Sequence, residues 1–224
     1  MTNRIKLSDR SLPNYTRGEE IMNMITHIVG GGFGIIVLIF CVAKAVASGN
    51  TLGVIGSSIY GGTMVTLYTI SSIYHGLNPS IGKKVMQVID HCAIYFLIAG
   101  TYTPILLVAF VPTYPIIGWG LLAAQWSLCS LATTLTAINL RRYRVLSMIC
   151  YIGMGWGIIF FIPQTIALLT LSGFYWLLAG GIVYTIGAVL FGLGSKLRWM
   201  HSVFHIFVVI GSLLQFIAII LYVL

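Results

Sequence analysis

Residues 201–224 read HSVFHIFVVIGSLLQFIAIILYVL. The stretch contains no lysine, arginine, aspartate or glutamate, and most residues after its two histidines are apolar. The hydrocarbon core of a bilayer is about 30 Å thick, so a helix needs about 20 such residues to cross it. The stretch therefore predicts a membrane-spanning helix over residues 201–223.

Six more runs of similar length precede it, separated by residues that favour turns. Together the predicted spans are residues 20–47, 51–76, 86–110, 115–138, 145–169, 173–193 and 201–223. Lipid has no water to hydrogen-bond a strand edge, and the runs lack the alternation of a membrane barrel. The sequence therefore predicts an all-α, polytopic membrane protein with seven transmembrane helices. Its predicted parts are a cytoplasmic N-terminal tail, residues 1–19, and a transmembrane domain, residues 20–224.

The composition of the whole chain supports this class. Of its 224 residues, 58% are hydrophobic and 7% are charged, whereas a water-soluble domain has about 25% charged residues. Four cysteines in a chain of this length do not indicate a disulfide-stapled secreted domain. The net charge of +8 comes from short basic clusters between the apolar runs, which is a pattern of membrane topology. We therefore expect no nucleic-acid partner.

The basic clusters also predict the orientation of the chain. Eleven of its twelve lysines and arginines fall in the tail or in the loops after spans two, four and six. They are Arg4, Lys6, Arg10, Arg17, Lys83, Lys84, Arg141, Arg142, Arg144, Lys196 and Arg198. Cytoplasmic loops retain positive charge, so the N-terminus is predicted to be cytoplasmic and the C-terminus extracytoplasmic. The expected location is the cell (inner) membrane, with several passes.

Ionisable residues inside spans are costly and therefore suggest a functional site. In the predicted orientation they all fall in the cytoplasmic half, although they come from spans one, two, three and seven. They are Glu20, His27, His75, Asp90, His91, His201 and His205. Several share a helix face, since His201 and His205 are four residues apart, as are Ser71 and His75. Glu20, Asn23 and His27 are also spaced to lie on one face.

Two histidines one helical turn apart can bind one metal ion, and a third would complete a zinc site with an open position. Other interpretations remain open at this point. The spacing of His201 and His205 also arises by chance, and His75 lies where interfacial residues are common. Because His91 follows Asp90, it points about 100° away from it, which favours packing or hydrogen bonding.

The acidic residues at the start of span one also have a simpler interpretation. Glu20 is suited to capping the N-terminus of the helix, where a carboxylate is favourable. Glu19 could have the same role, and we expect it to be the more exposed of the two.

Three motifs resemble a known family. Residues 20–27 (EIMNMITH) match the pattern ExxNxxTH, residues 71–75 (SSIYH) match SxxxH, and residues 201–205 (HSVFH) match HxxxH. The stretches 90–95 (DHCAIY) and 100–104 (GTYTP) are close to the bacterial version of the third span. In this order, over nearly the whole chain, the sequence resembles the hemolysin III branch of the progestin and adipoQ receptor family, which includes the adiponectin receptors.

The resemblance implies a zinc ion held by His75, His201 and His205, with Asp90 binding it through a water molecule. A wider group that includes the alkaline ceramidases shares a serine, an aspartate and three histidines, and Ser71 occupies the serine position. The implied catalytic residues are Asp90 and Ser71. Glu20, Asn23 and His27 are implied as supporting residues. Gln215 departs from relatives that often have a further histidine there, and we expect little effect on the metal.

Our leading hypothesis is a zinc-dependent hydrolase of a lipid amide or ester, involved in membrane lipid homeostasis, with an apolar cavity for the acyl chain. The alternative is a non-catalytic membrane sensor or receptor stabilised by zinc. A pore-forming cytolysin is less favoured, because the outer halves of the spans lack a polar stripe. Membrane lipids are the expected partners. Retinal is not expected, since residues 201–224 contain no lysine for a Schiff base. The sequence carries no indication of the oligomeric state.

Overall fold

The computed structural model describes residues 7–194 and 197–224. Most residues of these two ranges are helical and none forms a β-strand, which confirms the all-α prediction. The main helices are α1 (Arg17–Ala47), α2 (Thr51–Gly76), α3 (Ile81–Pro104), α4 (Pro115–Ile138), α5 (Arg144–Gly155), α6 (Ile162–Leu193) and α7 (Met200–Tyr222). Of the basic residues used for the orientation, Arg4, Lys6 and Lys196 lie outside the described residues.

Helix α1 begins with a capping box. The Thr16 hydroxyl accepts a hydrogen bond from the Glu19 N–H, and the Glu19 carboxylate accepts one from the Thr16 N–H. These bonds satisfy N–H groups that have no partner inside the helix. The N-cap is therefore Thr16, and the glutamate that takes part in capping is Glu19 and not Glu20. The expectation that Glu19 is the more exposed was wrong, since it is 4% exposed.

Helix α3 continues beyond Pro104 in an irregular form. Proline has no N–H to donate to the preceding turn, and residues Ile105–Phe110 follow as a π-helix before a last turn at Val111–Thr113. The chain from Ile81 to Thr113 thus forms one apolar helical segment of 33 residues.

The segment from Arg144 to Leu193 contains a reversal. A 3-10 helix, Gly157–Phe161, follows α5, and α6 is interrupted at Thr170, whose φ of 64° is not helical. The Trp156 indole N–H donates to the Thr185 hydroxyl at 3.0 Å, although the two are 29 residues apart. A straight helix would separate them by about 44 Å. The chain therefore doubles back near Thr170, close to the break predicted before residue 173.

Within the described residues, five helical segments are long and apolar enough to cross a membrane. They are α1, the segment Ile81–Thr113, α4, the doubled segment Arg144–Leu193 and α7. Helix α2 packs against both α1 and α3. Close packing depends on glycine here, because a Cβ at Gly61 would lie 2.6 Å from the Leu38 Cα and one at Gly56 would lie 2.7 Å from the Pro104 Cα.

Hydrogen bonds gather several basic regions at one end of the bundle. Arg10 donates to the carbonyl of Ile138, the last residue of α4, and Lys84 in α3 donates to the Ser8 carbonyl. The Trp199 N–H, just before α7, donates to Glu19. The N-terminal tail, the start of α3, the end of α4 and the start of α7 therefore share one end.

Candidate metal centre

Three histidines from two helices converge at this end of the bundle. His75 lies in the last turn of α2, and His201 and His205 lie in the first two turns of α7. The His201 Nε2 is 3.4 Å from the His75 Nε2 and 3.1 Å from the His205 Nε2. All three side chains are buried, with 1–6% exposure. They form a cluster that could hold a metal ion, and these are the three histidines that the resemblance implied.

The distances between the nitrogens suit one ion. Zinc binds histidine nitrogen at about 2.0–2.1 Å and prefers tetrahedral geometry, which places two ligand nitrogens about 3.3–3.4 Å apart. The observed 3.1 and 3.4 Å agree with this spacing.

The protonation of the other ring nitrogens supports the same conclusion. The His75 Nδ1 lies 2.6 Å from the Glu20 carboxylate, and the His205 Nδ1 lies 3.2 Å from the Asn23 carbonyl oxygen. Carboxylate and carbonyl oxygens only accept here, so in the neutral form of each ring the proton is assigned to Nδ1 and Nε2 presents a lone pair. A single proton on His201 Nε2 could serve only one of its two Nε2 neighbours, whereas a metal ion can accept all three lone pairs.

Asn23, in α1, hydrogen-bonds α7 at two points, both next to the histidines. It is fully buried, and its side-chain oxygen accepts a 2.6 Å hydrogen bond from the Ser202 hydroxyl. Its backbone carbonyl fixes the ring of His205. The Asn23 amide nitrogen is 3.4 Å from the His75 Nδ1, but a protonated Nδ1 has no lone pair for it. We therefore assign the hydrogen bond of the His75 Nδ1–H to the Glu20 carboxylate.

Glu20 connects His75 to a lysine. One carboxylate oxygen accepts from His75, and the other accepts from the Lys83 ammonium at 2.7 Å. Lys83 is 3% exposed and also donates to the Leu77 carbonyl. In the sequence, Lys83 served only as one of the basic residues that predict the membrane orientation, because nothing in its local sequence distinguishes it from other lysines near loops. Its role beside the site follows from the tertiary packing.

His27 lies in the cluster but does not point at the common centre. Its ring stacks on that of His205, with centroids 3.7 Å apart and planes 14° from parallel. Its edge contact is with Tyr68, at 5.0 Å. Neither ring nitrogen has a hydrogen-bond partner in the described part of the chain. In the structure His27 thus packs against His205, one of the three candidate ligands.

Ser71, Asp90 and His91 line a cavity that also reaches His201 and His205. Ser71 is 1% exposed, and its hydroxyl has no partner among the described residues. Asp90 is 7% exposed, and its carboxylate lies 3.8 Å from the His91 Nδ1. His91 hydrogen-bonds the Gln87 carbonyl at 2.8 Å and is not part of the three-histidine cluster, in agreement with the sequence analysis.

Tyr15 covers the cluster from the N-terminal tail. Its ring stacks on His201, with centroids 4.9 Å apart, and is tilted against His75. Burial, together with the negative charges of Glu20 and Asp90, raises the pKa of the Tyr15 hydroxyl, so it stays neutral. Sequence analysis missed Tyr15 because it precedes the first apolar run.

The cavity extends from the histidines into the bundle and has a volume of about 300 Å³. Its polar lining includes His27, Ser71, Asp90 and His91, and its lining as a whole is mainly apolar. Its apolar lining residues include Ile94, Ile98, Ile105, Ile158, Leu177 and Phe204. Gln215 also lines the cavity. Its side-chain amide donates to the Leu177 carbonyl, and it is not part of the three-histidine cluster. A chain of methylene groups is the kind of ligand that such a lining favours.

These features define a class: an α-helical membrane protein with a buried three-histidine centre beside an apolar cavity. The chain belongs to the Haemolysin-III related family, whose model matches residues 15–216. It is therefore a multi-pass protein of the cell membrane.

Three relatives illustrate the range of this similarity. The chain is 40% identical to Hemolysin-3 of Bacillus cereus over 206 residues, which cover 92% of each protein. It is 35% identical to the Hemolysin-3 homolog of Bacillus subtilis over 208 residues, covering 93% of this chain and 96% of the relative. The human monocyte to macrophage differentiation factor is 26% identical over 171 residues, or 72% of this chain and 67% of the relative.

Proposed function

We propose that this protein is a zinc-dependent hydrolase that cleaves an amide or ester bond of a membrane lipid from within the inner leaflet. The observation that carries the proposal is the convergence of three imidazole Nε2 atoms at one end of an apolar cavity. A role in membrane lipid homeostasis would follow, with membrane lipids as the partners.

His75, His201 and His205 would hold the ion. When bound, zinc would polarise a carbonyl group and acidify a water molecule. The protein's own contribution is to keep the ligands in position. Glu20 and the Asn23 carbonyl hold the Nδ1 protons of His75 and His205, so that both Nε2 lone pairs face the centre.

Asp90 and Ser71 are the proposed catalytic residues. Asp90 presents its carboxylate to the cavity and would accept a proton from water. Ser71 has a hydroxyl with no other partner in the described chain, and it would donate a hydrogen bond to the substrate carbonyl. Both line the cavity in which the acyl chain would lie, so the scissile bond would be held between them and the histidines.

We also propose that the chain crosses the membrane seven times, with a cytoplasmic N-terminus. Dividing the doubled segment at Thr170 and adding α2 to the other apolar segments gives seven passes. The basic regions joined by Arg10 and Lys84 then face the cytoplasm together. Single cysteines at Arg141 and at Ser172, in a cysteine-free background, should react with an impermeant maleimide from opposite sides. Labelling of both from the same side would refute this topology.

A non-catalytic, zinc-stabilised sensor is the second candidate. It is supported by the bonds of Asn23 and Glu20, which tie α1 to the two helices that carry the ligands. The two candidate functions differ in whether the protein has a lipid hydrolase activity that depends on the metal and on the cavity residues. A sensor needs neither Ser71 nor Asp90 for chemistry, whereas a hydrolase needs both.

The test uses purified protein in detergent and in vesicles. Metal content is measured first, and fatty acid release is then followed with N-acyl and O-acyl lipids. The hydrolase predicts one zinc per chain and turnover that falls at least about 100-fold in Ser71→Ala and Asp90→Asn. Stoichiometric zinc with no turnover on either lipid class would refute the catalytic proposal and leave the sensor. Dye release from the same vesicles tests the separate hypothesis of a pore.

A further inference from the structure

A buried lysine, Lys83, contacts Glu20, which in turn contacts His75 of the three-histidine cluster. Lys83 lies in the first turn of α3 and is 3% exposed, whereas its neighbour Lys84 is only half-buried. The Lys83 ammonium donates to Glu20 at 2.7 Å and to the Leu77 carbonyl at 2.8 Å. A lysine is almost never fully buried unless it is paired, so its position calls for a reason.

The contacts form a continuous relay to one ligand. Lys83 holds one oxygen of the Glu20 carboxylate, the other oxygen lies 2.6 Å from the His75 Nδ1, and the His75 Nε2 faces the cluster. The relay joins α3, α1 and α2, while its Leu77 bond fixes the backbone that follows α2. No other ion pair with Glu20 besides those of His75 and Lys83 occurs in the described chain.

We infer that Lys83 is a positioning residue for the metal centre, acting on His75 through Glu20. The side chain of Glu20 is 19% exposed, so a carboxylate released by Lys83 could turn towards water. His75 would then lose the acceptor that fixes its ring and its tautomer. Partners of this kind typically change metal affinity by about 10–100-fold when they are removed.

Removing Lys83 also has an electrostatic effect, which would raise the metal affinity. Removing Lys83 leaves one more net negative charge near the site, which by itself attracts a cation. Charge-assisted bonds to both oxygens of the Glu20 carboxylate restrict the orientation of that carboxylate strongly. For the metal affinity, the loss of this orientation outweighs the added negative charge. The zinc affinity of Lys83→Met therefore distinguishes the two effects: it falls if orientation dominates and rises if charge dominates.

The inference rests on the proposed zinc site, and the experiment separates the two. Zinc affinity is measured by competition with a chromophoric chelator for wild type, Lys83→Met, Lys83→Arg and Lys84→Met. Lys84→Met is the matched control, since the Lys84 ammonium donates to the Ser8 carbonyl in the tail and, among the described residues, not to Glu20. The expected result is about a 10–100-fold loss in Lys83→Met, partial retention in Lys83→Arg and less than about a twofold change in Lys84→Met.

Two further measurements exclude a general loss of structure. In Glu20→Gln, the additional Lys83→Met change should have no further effect on affinity, because Lys83 acts through that carboxylate. The visible absorption of Co²⁺-substituted protein, which reports the arrangement of the ligands, should change in Lys83→Met and not in Lys84→Met. Unchanged or tighter zinc binding in Lys83→Met, with an unchanged Co²⁺ spectrum, overturns the inference. Wild type without stoichiometric zinc would instead refute the metal site itself.

Discussion

The hydrogen bond between Ser202 and Asn23 should be measurable as a coupling free energy. Both residues are buried, at 2% and 0% exposure, and the bond is 2.6 Å long. Asn23→Leu keeps the size of the side chain and leaves the Ser202 hydroxyl without its acceptor. An unpaired buried hydroxyl costs about 1–3 kcal/mol. In membrane proteins, measured side-chain pairs average about 0.6 and reach about 1.7 kcal/mol.

We therefore expect Asn23→Leu to lower the free energy of unfolding by about 1–2 kcal/mol. Ser202→Ala added to it should restore about 1 kcal/mol, because replacing both partners by apolar groups is nearly neutral. The measurement is reversible unfolding in mixed micelles with metal removed, for wild type, both single variants and the double variant. Costs that add within about 0.5 kcal/mol would show that the two side chains act independently, against the structure.

Two other predictions use neighbouring residues as controls. Gly61→Ala should destabilise the protein by about 1–3 kcal/mol, because its Cβ would meet the Leu38 backbone at 2.6 Å. Gly62→Ala, which meets nothing within 4 Å, should be close to neutral in the same unfolding assay, and equal effects would contradict the packing. His27→Phe should keep one zinc per chain because it preserves the stacked ring, while His205→Phe should lose the metal; elemental analysis that shows equal metal in both would place the centre elsewhere.

The helices could be predicted from the sequence because each depends on a local pattern. Apolar runs of sufficient length, ended by turn residues, located α2 and α4 to the residue. Helix α3 begins five residues before its predicted start at residue 86, since Ser80 caps a first turn that is polar and so lies outside any apolar run. Local patterns also placed the histidines of α7 on one face.

The partners of those histidines were less accessible to prediction. The structure brings Glu20 and Asn23 to the cluster, as the resemblance implied, but Ser202 and Lys83 had no distinguishing signal. A serine next to a histidine and a lysine after a loop are common, and only the tertiary packing brings Ser202 to Asn23 and Lys83 to Glu20. The two adjacent glutamates show the same limit, because hydrogen bonds from Thr16 and Trp199 decide which one caps the helix.

The order of the histidines along the chain bears on how the centre is made. His75 and His201 are 126 residues apart, and the other two proposed ligands, His201 and His205, both lie in α7. A nascent chain that has inserted α1 to α6 holds a single imidazole of the three, so tight metal capture must wait until α7 has entered the membrane. Binding of the ion at the proposed site would then follow the insertion of α7, and a chain truncated before residue 201 would remain in the apo form whatever the supply of metal.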